Sequence, residues 1–141
     1  MSDVVYACEP DLPVDDYIAV VGASALGPSR PLGDPARVEA MLRGASLIVT
    51  ARIDGVCVGL ARCLTDFAWV AYLADLAVRN THQGMGIGKG LLLRLRDELG
   101  DGVGLALLSI PVAKPFYDRA GEAIGLRPNL DAYWMKRTRG A

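Results

Sequence analysis

The 141-residue sequence lacks the features that mark secreted, membrane-spanning or nucleic-acid-binding proteins. Its apolar runs are of strand length, far short of a bilayer span, and its first residues do not form a signal-peptide pattern. A net charge of −1 and a pI near 5.8 leave no basic stripe for nucleic acid or membrane lipid. We therefore expect a cytoplasmic protein with no nucleic-acid or membrane partner.

Metal-binding and disulfide patterns are also missing. The chain has one histidine and three cysteines, Cys8, Cys57 and Cys63, without metal-ligand spacing. The simplest interpretation is reduced thiols and no bound metal. Cys57 and Cys63 are six residues apart in a strand-like run, so we expect both on one face of a sheet.

The residues that are present suit one compact core. Hydrophobic residues make up 52% of the chain and charged residues 22%, which is a globular composition. The length predicts a single domain over residues 1–141. Strand patterns cover residues 4–8, 46–52, 56–64, 68–78, 103–110 and 132–136; helical patterns begin near 11 and cover 36–42, 91–99 and 115–120. This order predicts a mixed α/β sheet, with Asp54-Gly55 as a tight hairpin turn.

A glycine-rich turn, Gln83 to Gly88, leads from the fourth predicted strand into a Leu-rich helix. The first N–H groups of a helix have no partners inside the helix, and its dipole adds positive charge there. Glycine lets an anion approach these groups and permits a positive φ. A phosphate-bearing ligand is therefore predicted at this turn.

Two well-known phosphate-binding motifs have the wrong spacing. A P-loop needs glycine five residues before Gly88-Lys89, where Gln83 stands, and Ser or Thr after it, where Gly90 stands. The dinucleotide motif Gly-x-Gly-x-x-Gly would need glycine in place of Lys89 or Leu91. Helix packing alone would also favour glycine, but four glycines in seven residues exceed that need.

The remaining pattern is Gln/Arg-x-x-Gly-x-Gly/Ala, and Gln83, Gly86 and Gly88 match it. With the preceding Leu76-Ala77-Val78, this stretch resembles the acetyl-CoA motif of the GNAT superfamily of N-acetyltransferases. The resemblance implies a GNAT-like α/β (α+β) fold. Its mixed, mostly antiparallel central sheet would have six to seven strands, with about four helices. The sheet would be splayed between strands 68–78 and 103–110.

The resemblance also implies where acetyl-CoA binds. The main chain of residues 76–78 would pair with the pantetheine arm in the gap, and one of its N–H groups would polarise the thioester carbonyl. The turn would hold the pyrophosphate, and Ser109 and Ala113 would line the far side. The implied cofactor residues are Leu76, Ala77, Val78, Gln83, Gly84, Met85, Gly86, Ile87, Gly88, Lys89, Ser109 and Tyr117.

A second stretch, Pro115-Phe116-Tyr117-Asp118-Arg119, resembles the family's Phe-Tyr signature. The resemblance implies that Tyr117 acts as general acid on the departing thiolate; a half-buried helix residue is the structural alternative. The family's following Gly-Phe is absent. Either Gly121 ends the helix, or Gly125-Leu126 takes the place of Gly-Phe.

Several residues are candidates for the general base and for the acceptor pocket. Asp75, just before the pantetheine segment, is the best candidate base, and a polar residue on the solvent side of a strand edge explains it equally well. Asp66 is a weaker candidate. Trp69, Tyr72 and Trp134 would shape an acceptor pocket or pack in the core. The loop 23–35 and the turn 65–67 are expected to shape the acceptor site.

These observations lead to the hypothesis of an acetyl-CoA-dependent N-acetyltransferase. The acetyl group would move to a primary amine, favoured to be that of a small molecule, by direct attack in a ternary complex. The alternatives are a catalytically weak GNAT-fold acyl-CoA sensor and a protein N-terminal or lysine acetyltransferase. The resemblance also suggests a homodimer.

Overall fold

The computed structural model describes residues 2–129 and 131–139. A five-stranded sheet in the order β1-β2-β3-β4-β5 runs antiparallel except for the parallel β4–β5 pair. Four α-helices and four short 3-10 turns complete the described part. The strands are β1 Val5–Cys8, β2 Leu47–Ile53, β3 Val56–Thr65, β4 Val70–Val78 and β5 Gly104–Leu107; the helices are α1 Val14–Gly22, α2 Pro35–Gly44, α3 Ile87–Leu99 and α4 Lys114–Ala120.

The predicted hairpin is confirmed. Ile53 pairs with Val56, so Asp54 and Gly55 alone make the turn. Their φ angles of 50° and 80° fit a two-residue turn in which both central residues are left-handed. Such a turn matches the twist of the strands that it joins.

Each face of the sheet carries its own hydrophobic cluster. Helices α1 and α2 pack on one face around Tyr17, Val20 and Leu42. Helix α3 packs on the other face. Its buried residues are Ile87, Leu91, Leu92, Leu95 and Leu99, which confirms the predicted helical spacing. None of the helices among the described residues is long and apolar enough to cross a bilayer.

Two register shifts change which face a side chain occupies. In β3, Ala51 pairs with Gly59 and Arg52 with Cys57, so Val58 is an extra residue. Because a bulge breaks the alternation of side chains, Cys57 lies in the α1/α2 cluster and Cys63 in the α3 cluster. The prediction that these cysteines share a face is therefore wrong.

The second shift is in β4. Arg62 pairs with Asp75 and Cys63 with Leu73, which leaves Ala74 as the extra residue. Leu73 therefore faces the α3 cluster, whereas Asp75 faces Tyr17 of α1. Beyond the bulge, β4 no longer pairs with β5.

The β4–β5 ladder is short. It runs from Val70 opposite Gly104 to Leu73 opposite Leu107, and β4 continues alone to Val78. The predicted splay between these strands is thus present. The prediction of a strand over 103–110 is too long, because the chain after Leu107 separates from β4 and loses its pairing partner.

The predicted strand over 132–136 is not formed, and the sheet of the described residues has five strands rather than six to seven. Tyr133, Trp134 and Met135 are exposed, with 98%, 59% and 93% of their surface accessible. Strand preference reflects packing on a half-buried surface. These side chains have no such surface, so their composition alone does not make a strand.

Stability should depend on the α3 cluster. Leu95 is fully buried, so we expect Leu95→Ala to reduce the free energy of unfolding by about 2–5 kcal/mol. The matched control is Leu93→Ala on the same helix, where the side chain is 40% exposed and the expected loss is below about 1 kcal/mol. Urea denaturation measures both, and equal losses would contradict this assignment of the core.

Candidate active site

A cavity of about 570 Å³ lies where β4 and β5 separate. Its walls come from the end of β4, the N-terminus of α3, the segment after β5, α4 and the loop between α1 and α2. Every predicted cofactor residue except Met85 lines it. Met85 is 57% exposed at the outside of the turn. The structure therefore joins three separate sequence segments in one site.

The glycine-rich turn has the backbone of an anion site. Gly84 and Gly86 both have a φ of 78°, a left-handed conformation that favours glycine. Gly86 is the N-cap of α3, and no side chain among the described residues caps that end of the helix. The first intrahelical bond of α3 is donated by the N–H of Gly90 to the Gly86 carbonyl, at 3.0 Å. The preceding N–H groups remain available for an anion.

The other two glycines of the motif serve packing. A Cβ on Gly88 would lie 2.8 Å from ring atoms of Phe116 in α4. A Cβ on Gly90 would overlap the hydroxyl of Tyr6 in β1. Only small residues therefore let α3 approach its neighbours. Close packing therefore explains Gly88 and Gly90, but it does not explain Gly84 and Gly86.

The side chain of Gln83 ties the turn to the end of β4. Its amide nitrogen donates to the Val78 carbonyl at 3.3 Å and to Asn80 Oδ1 at 3.2 Å. Lys89 follows the turn, is exposed and lines the cavity, where it adds positive charge. This end of the cavity suits a phosphate-bearing ligand.

Tyr117 of α4 lies in the cavity wall and is half-buried. Its ring meets that of Phe116 edge to face, with centroids 5.1 Å apart. Burial raises the pKa of the Tyr117 hydroxyl to about 12; Arg30 lowers it and Asp75 raises it by their charges. The hydroxyl is therefore protonated at neutral pH and is a hydrogen-bond donor into the cavity.

Asp75 does not line the cavity. It is 1% exposed and accepts hydrogen bonds from Tyr17 Oη at 2.6 Å, Arg30 Nε at 2.5 Å and Arg62 Nε at 2.6 Å. Burial alone would raise the pKa of this carboxyl, but Arg62 and then Arg30 hold it below its ordinary value. An ionised, fully engaged carboxylate is a poor proton acceptor, so this geometry argues against Asp75 as general base.

The other candidates for base and acceptor pocket lie elsewhere. Asp66 accepts from the N–H groups of Ala68, Trp69 and Val70, at 2.8, 2.8 and 3.2 Å. These bonds lower its pKa and make it a turn residue. The described walls of the cavity contain no Asp or Glu, and neither Trp69, Tyr72 nor Trp134.

The model of the acetyltransferase (GNAT) family matches residues 20–121 of the chain. The chain belongs to this family. The match includes the glycine-rich turn, the splayed strands and Tyr117. A search of curated proteins gave no match.

Solved structures share the GNAT fold. A protein of Deinococcus radiodurans R1 described as an acetyltransferase is 25% identical, with a TM-score of 0.72 over 96% of this chain and 89% of its own. The aminoglycoside N-acetyltransferase AAC(6')-Iy, solved with CoA, is 16% identical, with a TM-score of 0.71 over 98% and 97%. The Escherichia coli GNAT protein YhbS, also solved with CoA, is 20% identical, with a TM-score of 0.66 over 86% and 69%.

Sequence reasoning missed several cavity residues, among them His82, Arg119 and residues of the loop between α1 and α2. Ser24, Leu26 and Arg30 line this GNAT cavity. The proline- and glycine-rich pattern of the loop indicates an acceptor-shaping segment but not which residues face inward. The other expected segment, the turn 65–67, does not line the cavity.

After α4, a 3-10 turn runs from Gly121 to Ile124, and Gly125, with a φ of 77°, ends it. The α-helix itself ends at its C-cap Gly121, and the correspondence of Gly125-Leu126 with the family's Gly-Phe stays a prediction.

Removing the Asp75 charge should destabilise the protein. Asp75→Asn leaves Arg30 and Arg62 without their buried counter-charge, so we expect a loss of about 3 kcal/mol at pH 7 by urea denaturation. The native pKa of Asp75 is depressed, so its stabilisation is present above the unfolded pKa and is lost as pH falls through the native pKa. The difference between wild type and variant should therefore shrink below about pH 4.

The control is Asp101→Asn, which removes an exposed carboxylate and should change stability by less than about 0.5 kcal/mol. A loss at Asp75→Asn as small as that of the control would show that the Asp75 ion pairs are not structural.

Proposed function

We propose that this protein transfers the acetyl group of acetyl-CoA to the primary amine of a small molecule, by direct attack in a ternary complex. One observation carries the proposal: a single cavity joins an anion-binding turn to the protonated hydroxyl of Tyr117 along an unpaired edge of β4. The family membership supports acyl transfer. Acetyl-CoA supplies a thioester that an amine can attack.

The chain's own residues suit acetyl-CoA. The free N–H groups at the start of α3, together with Lys89, provide for the pyrophosphate. Residues 76–78 pair with β3 on one side, whereas their β5 side is unpaired in the described structure. This edge offers N–H and carbonyl groups to the amides of pantetheine, as in strand addition. An N–H there would also stabilise the oxyanion of the tetrahedral intermediate.

Tyr117 would assist the departing sulfur as a hydrogen-bond donor. A thiol has a pKa of about 8.5, well below the value of about 12 for Tyr117. Complete transfer of the tyrosine proton to a thiolate is therefore uphill. Donation of a hydrogen bond to the developing negative charge has no such cost and lowers the barrier.

His82, just before the glycine-rich turn, is a wall residue of a type that serves as a base. The described cavity wall contains no Asp or Glu to act as general base, since Asp75 is outside the wall and ion-paired. The amine would therefore react from its neutral form, and its proton would leave through water. The same observation favours a second candidate function, an acyl-CoA sensor without turnover. Release of free thiol across a panel of amines would separate the enzyme from the sensor.

The acceptor is favoured to be a small amine. The neighbour AAC(6')-Iy acetylates aminoglycosides, as its name states, but at 16% identity it shares the fold alone with this chain. We keep a protein N-terminus or lysine as the alternative acceptor. A homodimer and a cytoplasmic location likewise remain part of the proposal.

Acetyl-CoA binding should require the turn. We expect Gly86→Ala to weaken acetyl-CoA affinity about tenfold in isothermal titration, because a Cβ strains the left-handed N-cap and tilts its N–H groups. Gly55→Ala is a matched control: it has a φ of 80°, equally open surroundings and a place in the remote β2–β3 hairpin. Both variants should lose a similar free energy of unfolding, and only Gly86→Ala should lose affinity for acetyl-CoA. Wild-type protein that fails to bind acetyl-CoA at high micromolar concentration would refute the proposal.

Tyr117 should affect turnover rather than binding. We expect Tyr117→Phe to lower kcat about ten- to a hundredfold, with acetyl-CoA affinity nearly unchanged, because only the donor to the developing charge is lost. Tyr133→Phe, at a side chain that is 98% exposed, is the control and should leave kcat unchanged. An unaltered kcat for Tyr117→Phe would remove this residue from the chemistry.

A further inference from the structure

The acceptor end of the cavity carries an excess of positive charge. Arg30 is the charged residue that the α1–α2 loop contributes to the wall, and its side chain is 22% exposed. Behind it lie Asp75 and Arg62, so the buried cluster combines one negative and two positive charges. Tyr17 adds none, because burial and then Asp75 raise the pKa of its hydroxyl far above neutral pH.

This excess charge is too far from the turn to serve the same anion. The Arg30 guanidinium donates to the Ala74 carbonyl at 2.8 Å, whereas the turn follows Val78 at the other end of the open edge. Val78 is four residues further along the strand than Ala74, a distance of roughly 13 Å. The turn has its own N–H groups and Lys89. Arg30 therefore serves a different group.

Arg30 is held in place by its neighbours. Nε donates to Asp75, Nη2 to Ala74, and Nη1 to the hydroxyl and carbonyl of Ser29. The described bonds thus engage four of the five N–H groups of a guanidinium. The remaining N–H belongs to Nη2, on a side chain that lines the cavity. A guanidinium whose orientation is fixed loses little entropy when an anion binds.

The charge of Arg30 reaches the site of chemistry. Arg30 and Tyr117 both line the cavity, and the charge of Arg30 lowers the pKa of the Tyr117 hydroxyl, whereas that of Asp75 raises it. The other charged residues of the described wall are Lys89 and Arg119, and no Asp or Glu balances them. A polycation such as a polyamine would be repelled here, and an anionic group would be attracted.

We propose that the acceptor is an amine that also carries a carboxylate, and that Arg30 binds this carboxylate. The inference rests on the proposed function and names the substrate class of that site. Asp75 is then a positioning residue, which orients Arg30 rather than accepting the proton of the amine. The carboxylate of the acceptor would balance the net positive charge of the Arg30, Asp75 and Arg62 cluster.

Binding to the protein saturated with CoA tests the inference independently of turnover. The probes are amino acids and the matching amino acid amides, since each pair differs only in the charged group, together with spermidine as a polycation. Phosphoethanolamine against ethanolamine tests a phosphate in place of the carboxylate. By isothermal titration we expect the amino acids to bind at least about tenfold more tightly than their amides, and spermidine not to bind.

Arg30→Gln should abolish this preference, and Arg30→Lys should keep part of it because the charge remains but the fixed orientation of the guanidinium is lost. Arg127→Gln, at an exposed residue outside the cavity, is the matched control and should keep the preference. Unchanged acetyl-CoA affinity shows that each variant is folded.

The two proposals can fail separately. Equal affinity within the amino acid pairs, tighter binding of spermidine or a preference for phosphate alone would overturn the inference, as would no binding of any amino acid. The proposed function would stand if acetyl-CoA still bound and an amine were acetylated. Conversely, a carboxylate preference that depends on Arg30, without release of thiol from acetyl-CoA, would support the inference and refute acetyl transfer.

Discussion

The extra residue in β4, Ala74, is the constraint on which the rest of the site depends. Up to Leu73 the strand pairs with both β3 and β5; beyond the bulge it keeps only β3. The same shift turns Asp75 away from the α3 face and toward α1. One local irregularity thus opens a gap along the sheet and supplies the carboxylate that fixes Arg30. The unpaired edge and the acceptor-side arginine have a common origin.

The glycine-rich motif combines two physical requirements that its one-letter pattern does not separate. Gly84 and Gly86 have positive φ and shape a nest of N–H groups, whereas Gly88 and Gly90 allow α3 to approach Phe116 and Tyr6. The first requirement concerns the ligand, and the second concerns the position of the helix that carries the nest. Both are needed, because a nest on a misplaced helix would not face the open edge of β4.

Local signals predicted well the parts of the fold that local physics determines. The Asp54-Gly55 turn, the Leu spacing of α3 and the glycine-rich turn before α3 depend on neighbouring residues, and their patterns identified these elements. Anion binding at the glycine-rich turn stays a prediction. The faces of Cys63 and Asp75 depend on bulges, whose residues Val58 and Ala74 have no distinctive sequence signal. The run 132–136 has the composition of a strand but no partner. Arg30 could not be singled out, because its role follows from the face that Asp75 occupies.

The contact between Phe116 and Gly88 links the glycine-rich turn to the position of Tyr117. Phe116 lies against the first turn of α3, and its neighbour Tyr117 points into the cavity from the same turn of α4. The Phe116 ring therefore sets the distance between the first turn of α3 and the Tyr117 hydroxyl. A change of side-chain volume at either residue would move the start of α3 and the Tyr117 side chain relative to each other. The distance between α3 and α4 would therefore determine both where the Tyr117 hydroxyl lies and where the N–H groups of the turn lie.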